Sequence, residues 1–215
     1  MKSFIVIGLG RFGSEVAKCL CRQGCEVLAI DVNSDLVQQI SEEVTQAVTG
    51  DARDKEVLRS LDAKSFDCGI VAIGDGFGNS VLATMNLKEL GVPYIVCKAS
   101  DETHKQVLNK LGADRVVIPE KENASRLAKS LGSTNVLDYI ELSEDYGIIE
   151  TPAPEKWDGK SLIELNVRAK LGVNILAIKR DGNITVSPSA DYKIFKGDTL
   201  VVLGDNAALK AVQKL

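Results

Sequence analysis

Apolar and polar positions follow two alternating patterns through the first half of the chain. FIVIG, from Phe4, is an uninterrupted apolar run, as a strand buried on both faces requires. From about Arg11 to Gln23 the apolar residues Phe12, Val16, Ala17 and Leu20 recur on one helical face, with Glu15, Lys18 and Arg22 pointing away. Gly24 ends that helix, and EVLAID forms a second strand closing on Asp31. Ser34 is expected to cap a helix through Glu43, and TQAVTGD to be the third strand. Asp54 then caps a helix carrying Val57, Leu58 and Leu61, ahead of the strand CGIVAIG. A helix from about Asn79 to Leu90, the strand PYIVCK, a helix from about Glu102 to Leu111 and the strand RVVIP complete the series. Continuous apolar strands alternating with amphipathic helices predict a doubly wound parallel sheet covered on both faces.

The pattern changes after Pro119. EKENASRLAKSLGS is helical over about 120–133, with Ala124, Leu127, Ala128 and Leu131 on one side. Beyond it the alternation of strands and helices stops. DYIELSEDYGIIETPAP reads as two short strands, SLIEL and NVRAKLG as short helix and loop, and VNILAIKR as a strand. Asp181-Gly182-Asn183 makes a hairpin turn into ITVSP, TLVVLG is a further strand, and Asp205-Asn206 opens a last helix. Two domains follow: residues 1–135, then a small α+β domain over 136–215. The second is too small for the substrate domain of most dehydrogenases.

Composition narrows the function classes. The chain is 45% hydrophobic, ample for a packed core, and carries a net charge of −4 with both signs scattered. No basic block points to nucleic acid or anionic lipid. MKSFIVIG reads as a strand rather than a signal peptide, and no stretch approaches the ~20 apolar residues of a membrane span. Any membrane role would therefore come through a partner. The five cysteines at 19, 21, 25, 68 and 97 include no C-x-x-C pair, and with a single histidine no zinc set is evident. They are expected to be buried thiols in a reducing cytosol.

Candidate chemistry centres on Gly8-Leu9-Gly10-Arg11-Phe12-Gly13, placed between a strand and a helix. In that context G-x-G-x-x-G holds a nucleotide pyrophosphate: Gly8 for the tight turn, Gly10 for close phosphate approach, Gly13 for helix–strand packing. The helix start adds free N–H groups and a positive dipole end. Asp31, 18 residues after Gly13 at the end of the second strand, is placed to bind both ribose hydroxyls and to repel a 2′-phosphate. Tyr94 and Lys98 spell Y-x-x-x-K, a catalytic pair only when both lie on one helical face. Pro93 and the β-branched run make this segment a strand, separating the two Cα atoms by ~13 Å at ~3.3 Å per residue. His104, in the polar helix start SDETHKQV, is expected to be a solvated surface histidine. No nucleophile elbow, H-E-x-x-H or Walker A sequence is present, so no enzymatic chemistry is assembled.

GLGRFG, AID, TGDA (Thr49 to Ala52), VAIG (Val71 to Gly74), CKA (Cys97 to Ala99) and VIPEK (Val117 to Lys121), in this order, resemble the RCK family. The likeness covers the whole chain and is nearest to the cytosolic gating subunits of Ktr-type bacterial potassium transporters. It implies a Rossmann-like RCK N-terminal domain, an RCK C-terminal domain, and binding without turnover. ATP and ADP would occupy the Rossmann site through Gly8, Gly10, Phe12 and Gly13. Arg11 would reach the γ-phosphate across a dimer interface. Asp31 would hold the ribose with Asn33 assisting, Asp51 and Ala52 would border the adenine, and Ile73, Gly74 and Lys98 would line the phosphate side. Glu120, which by itself reads as a favourable carboxylate at a helix start, would help bind a divalent cation or Na+ beside the nucleotide.

The same likeness makes the 120–133 helix a crossover element exchanged between subunits. Homodimers would assemble into an octameric ring on the cytoplasmic face of the membrane, under a membrane-embedded potassium pore subunit of the Ktr type. In the C-terminal domain, Leu162, Ile163, Val167, Arg168, Asn174, Ile175 and Pro188 would bind cyclic di-AMP; on their own, Leu162, Ile163 and Ile175 read as core. The main alternative is an NAD(H)-binding redox-sensing regulator of the related Trk type, opposed by Arg11 and by the chain length. An NAD-dependent dehydrogenase stands third.

Overall fold

The computed structural model describes residues 1–74, 76–131, 138–143 and 145–215. The boundary expected at 135/136 and the end of the 120–133 helix lie outside these residues. The chain divides into two compact units, Met1–Pro119 and Glu120–Leu215.

The first unit is built from β1 (Ser3–Ile7), α1 (Arg11–Arg22), β2 (Glu26–Asp31), α2 (Ser34–Ile40), β3 (Gln46–Thr49), α3 (Lys55–Ser60), β4 (Cys68–Val71), α4 (Phe77–Leu90), β5 (Ile95–Lys98), α5 (Glu102–Lys110) and β6 (Arg115–Val117). The strands form one sheet in the order β3-β2-β1-β4-β5-β6, every pairing parallel. Because successive side chains leave a strand on opposite faces, two cores result. Ile5, Ile7, Leu28 and Ile30 join Leu58, Leu87 and Leu108 on one face, while Val6, Val27 and Ala29 join Ala17, Val37 and Ile40 on the other. Burial of each valine, leucine or isoleucine among them contributes about 1.5–3 kcal/mol. The chain passes outward from β1 to β3, then returns to lay β4 beside β1. That reversal opens a crevice at the carboxyl ends of β1 and β4, the place where such sheets bind ligands.

Helix starts follow short side chains. Asp54, Asp101 and Asp205 each accept a backbone N–H of the helix they precede. At α2 the cap is Asn33, whose side chain accepts Asp35 N–H at 2.9 Å, rather than the expected Ser34, and the helix stops at Ile40 instead of Glu43. The cap position is set two residues earlier: Asp31 Oδ1, at the end of β2, accepts Asn33 N–H at 2.8 Å and fixes the extended residue at position 33.

The second unit contains α6 (Pro119–Leu131, beginning at the junction), β7 (Asp138–Glu141), β8 (Tyr146–Pro152), α7 (Leu162–Leu165), α8 (Val167–Leu171), β9 (Asn174–Arg180), β10 (Asn183–Val186), β11 (Thr199–Asp205) and α9 (Asn206–Gln213). Its five-stranded antiparallel sheet runs β10-β9-β11-β8-β7. Ile149, Ile178, Leu200 and Val202 face inward onto Trp157, Val167, Leu209 and Val212. The fold is thus a Rossmann-like parallel sheet followed by a small α+β domain, as the pattern predicts. Among the described residues, no helix is long and apolar enough to cross a membrane.

Candidate functional site

The crevice is shaped by the backbone between β1 and α1. Gly8 has φ +92°, and a Cβ there would lie 2.9 Å from Ile73 N and 3.0 Å from Ala72 C. At Gly13 a Cβ would sit 1.9 Å from Gly8 O, so only glycine lets α1 pack this close to the strand end. Gly10 differs: nothing lies within 4 Å of its Cβ position, although Gly10 lines the crevice. Gly10 is also the N-cap of α1, with no side chain capping the helix and no acidic residue in its first turn. The N–H groups and positive dipole end are therefore left for an anion.

Beside this loop lies a cavity of about 390 Å³, within the usual range for small-molecule sites. Gly8, Gly10, Asp31, Asp51, Ala52, Ile73 and Gly74, all expected on sequence grounds, line it. Asp31 Oδ2 accepts Leu9 N–H at 2.6 Å while Oδ1 accepts Asn33 N–H. Each carboxylate oxygen keeps a further lone pair for a ligand hydroxyl. Other expected residues fall outside the lining. Arg11 is exposed in the first turn of α1, Gly13 is packed beneath the loop, and Asn33 is committed to capping α2. Lys98 Nζ lies 5.8 Å from the centre of the Phe12 ring, joining the end of β5 to the glycine loop. Glu120 is exposed in the first turn of α6.

Several lining residues escape the sequence reading: Val32, Leu36, Arg53 and Asn79 among them. Val32 is an apolar side chain 64% exposed at the cavity, a wall suited to a flat base. Arg53 Nε and Nη2 grip the Asp51 carboxylate at 2.6–2.9 Å, and its Nη1 reaches Asn79 Oδ1 at 3.4 Å. That guanidinium holds the Asp51 carboxyl below its ordinary value. Asn86 Nδ2 donates to Ala52 O and Arg53 O, fixing the loop from α4. The only hint in the sequence is that Arg53 directly follows TGDA.

His104 corrects an expectation. It is 4% exposed, not solvated, because its helix start is turned against α4: Nε2 lies 2.7 Å from Ser80 Oγ. Tyr94 precedes β5 and Lys98 ends it, so the Y-x-x-x-K pair spans a strand as expected. All five cysteines are free thiols. Cys68 and Cys97 are buried, and burial pushes both up to about 11; Cys19, Cys21 and Cys25 are half-buried. Among the described residues no group of three or more His, Cys, Asp or Glu could hold a metal ion. Glu120 could thus supply only part of a cation site.

A second, shallower hollow of about 160 Å³ lies in the other unit, between α7, α8 and the start of β9. A capping box between Ser161 and Glu164 fixes α7, and Asn166 at φ 48° turns the chain into α8. Leu162, Ile163, Val167, Arg168, Asn174 and Ile175 line the hollow, while Pro188 does not. Ile163 is 67% exposed, which sets it apart from core.

Comparison with known proteins adds to this geometry. The TrkA-N domain family matches residues 4–119 and the TrkA-C domain family residues 147–215. The chain is 44% identical to the Ktr system potassium uptake protein C of Bacillus subtilis, over 99% of this chain and 96% of that protein. It is 46% identical to the Ktr system potassium uptake protein A of the same organism, over 97% and 94%. Among solved structures, the GsuK RCK domain superposes with a TM-score of 0.70 at 20% identity, covering all of this chain and 47% of the other.

Proposed function

The chain belongs to the RCK family, with a TrkA-N and a TrkA-C domain and near full-length likeness to Ktr potassium uptake proteins, and on that premise we propose that it is a non-enzymatic, nucleotide-sensing regulatory subunit of a potassium transporter. The glycine loop and the start of α1 receive the phosphates, Asp31 the ribose hydroxyls, and the wall of Val32, Leu36 and Ala52 the base. The observation that carries the reading is Arg11, exposed in an uncapped, acid-free helix turn beside that cavity.

Arg11 contacts the γ-phosphate held by a second subunit. A charge-assisted contact made to ATP and not to ADP is worth about 1.5–3 kcal/mol. That is a ten- to hundredfold bias between two shapes of a ring, on the order of 1.4 kcal/mol per factor of ten. Exposed Leu127 and Leu131 on α6 support an exchanged helix, hence a homodimer and, from dimers, an octameric ring. Residues 1–135 and 136–215 are the two functional domains. The ring works on the cytoplasmic face of the membrane through a pore subunit of the Ktr type. Glu120 shares a divalent cation or Na+ with the nucleotide and a neighbouring subunit. Cyclic di-AMP occupies the second hollow in a dimer, with Arg168 on phosphate and Asn174 as a polar contact.

Calorimetry with ATP, ADP, NADH and cyclic di-AMP, on the wild type and on Arg11→Ala, tests the reading. ATP affinity is expected to fall about ten- to hundredfold in the variant, with ADP little changed. NADH binding tighter than ATP, with Arg11→Ala neutral, would overturn it and leave the redox-sensing regulator.

A further inference from the structure

His104 is the chain's single histidine, and the nucleotide reading gives it no task. Its ring lies in a buried pocket between α4 and the loop after β5. Ser100 N–H donates to Nδ1 at 3.2 Å, so Nδ1 is an acceptor and the proton belongs on Nε2. Nε2–H then donates to Ser80 Oγ at 2.7 Å, and Ser80 Oγ donates onward to Phe77 O at 2.9 Å. The Phe77 ring covers the imidazole at 4.9 Å between centroids. The neutral ring is thus fully satisfied. A second proton on Nδ1 would take that acceptor from the Ser100 N–H and would be left to the Ser100 hydroxyl, which lies 3.2 Å from Nδ1 and donates to Asp101 Oδ2.

Ser80 adjoins Asn79, and Asn79 lines the nucleotide cavity and receives Arg53. The first turn of α4 is therefore both a cavity wall and the partner of His104. We propose that the neutral imidazole of His104 is a positioning residue, locking the Phe77–Ser80 turn against the cavity so that nucleotide is held best while His104 is unprotonated. This inference rests on the nucleotide reading of the cavity. Among the described residues the charged group facing His104 is Asp101, from the loop after β5 and α5's own start; its Oδ1 accepts His104 N–H at 2.8 Å. The groups facing it from α4, Ser80 and Phe77, are uncharged. Burial lowers the histidine's pKa from its ordinary value, and the Asp101 carboxylate opposes that shift.

Linkage sets the sign of the test. If nucleotide binds the neutral form better, saturating ADP must lower the midpoint of the histidine titration, whereas mere proximity of an anion would raise it. With one histidine, proton NMR follows that titration in the wild-type protein without any variant. Calorimetry with ADP, from about pH 7.5 to about pH 5, covers the window in which a histidine of lowered pKa titrates. The expected result is a midpoint lowered by ADP, and an affinity loss on acidification about fivefold larger in the wild type than in His104→Gln. Titration of the nucleotide's own phosphates is common to both proteins and cancels. A midpoint that ADP raises or leaves in place, or the same pH profile in both proteins, overturns the proposal. ADP failing to bind at either pH overturns the nucleotide reading and this inference with it, a failure told apart by a flat calorimetric trace.

Discussion

Gly10 and Gly13 share a motif but answer to different constraints. The Cβ that Gly13→Ala would add meets Gly8 O at 1.9 Å, a clash with backbone that cannot step aside. That variant is expected to lose about 3 kcal/mol or more in denaturant unfolding. Gly10→Ala adds a methyl group to open space at an N-cap, costing no more than about 1 kcal/mol. On the proposed nucleotide reading its ATP and ADP affinities should nonetheless fall about tenfold or more, because the space it fills is where phosphate would approach the backbone. Equal stability losses in the two variants would contradict this division. His104 adds a pH dependence. Its folded-state pKa is lowered, so below the unfolded value of about 6.5 the unfolded chain binds more protons. Stability is complete above about 6.5 and declines as pH falls through the folded value; thermal unfolding of His104→Gln should lack that decline. These roles differ in legibility. Glycine spacing reports on local backbone geometry and is written in the sequence, whereas the burial of His104 depends on α4 lying across its helix start.

Among helices and strands, what neighbours impose separates the expected from the observed. The β–α repeat of the first unit follows the hydrophobic pattern because each strand is buried on both faces and each helix on one. The start of α2 shifts to Asn33 because Asp31, occupied with the glycine loop, also seizes Asn33 N–H. Ser34 and Asn33 are both good caps, so the sequence alone could not choose between them. In the second unit, Asp198 is 1% exposed and grips Arg180 at 2.7 Å through two bonds, tying the end of β9 to the turn before β11. The Arg180 guanidinium lies 4.8 Å from the Phe195 ring centre and holds the Asp198 carboxyl below its ordinary value. Because Arg180 is about one-third exposed, Asp198→Asn is expected to cost about 1.5–3 kcal/mol rather than the full penalty of a buried orphan charge. Its folded pKa is depressed, so the contribution is present above about pH 4 and disappears as pH falls through the folded value. Urea midpoints of the wild type and Asp198→Asn should therefore converge in acid.

Each of the two units carries a core of its own, yet α6 leaves leucines in water. Leu127 is 59% and Leu131 75% exposed, on a helix whose apolar side is spaced for burial. The exchange of this helix between subunits proposed above would cover them. Leu127→Glu combined with Leu131→Glu should therefore reduce the assembly to monomers in light scattering, with the circular dichroism of the fold retained. An unchanged mass would remove α6 from the interface.

By itself the sequence determined what local chemistry sets. The strand and helix periods, the glycine loop, the carboxylate closing β2 and the short caps all act within one element or between elements adjacent in the chain. They place the glycine loop and an acidic side chain together at the carboxyl ends of β1 and β2. The tertiary structure decided what depends on which loops the strand order brings together. The return of β4 to the side of β1 sets Asn79 opposite Arg53. The packing of α5 on α4 buries His104 against Ser80, and the hollow by α8 excludes Pro188 while admitting Asn166 and Ala190. Such contacts join residues tens of positions apart. Their partners are chosen by strand order and helix packing, which no short window of sequence contains.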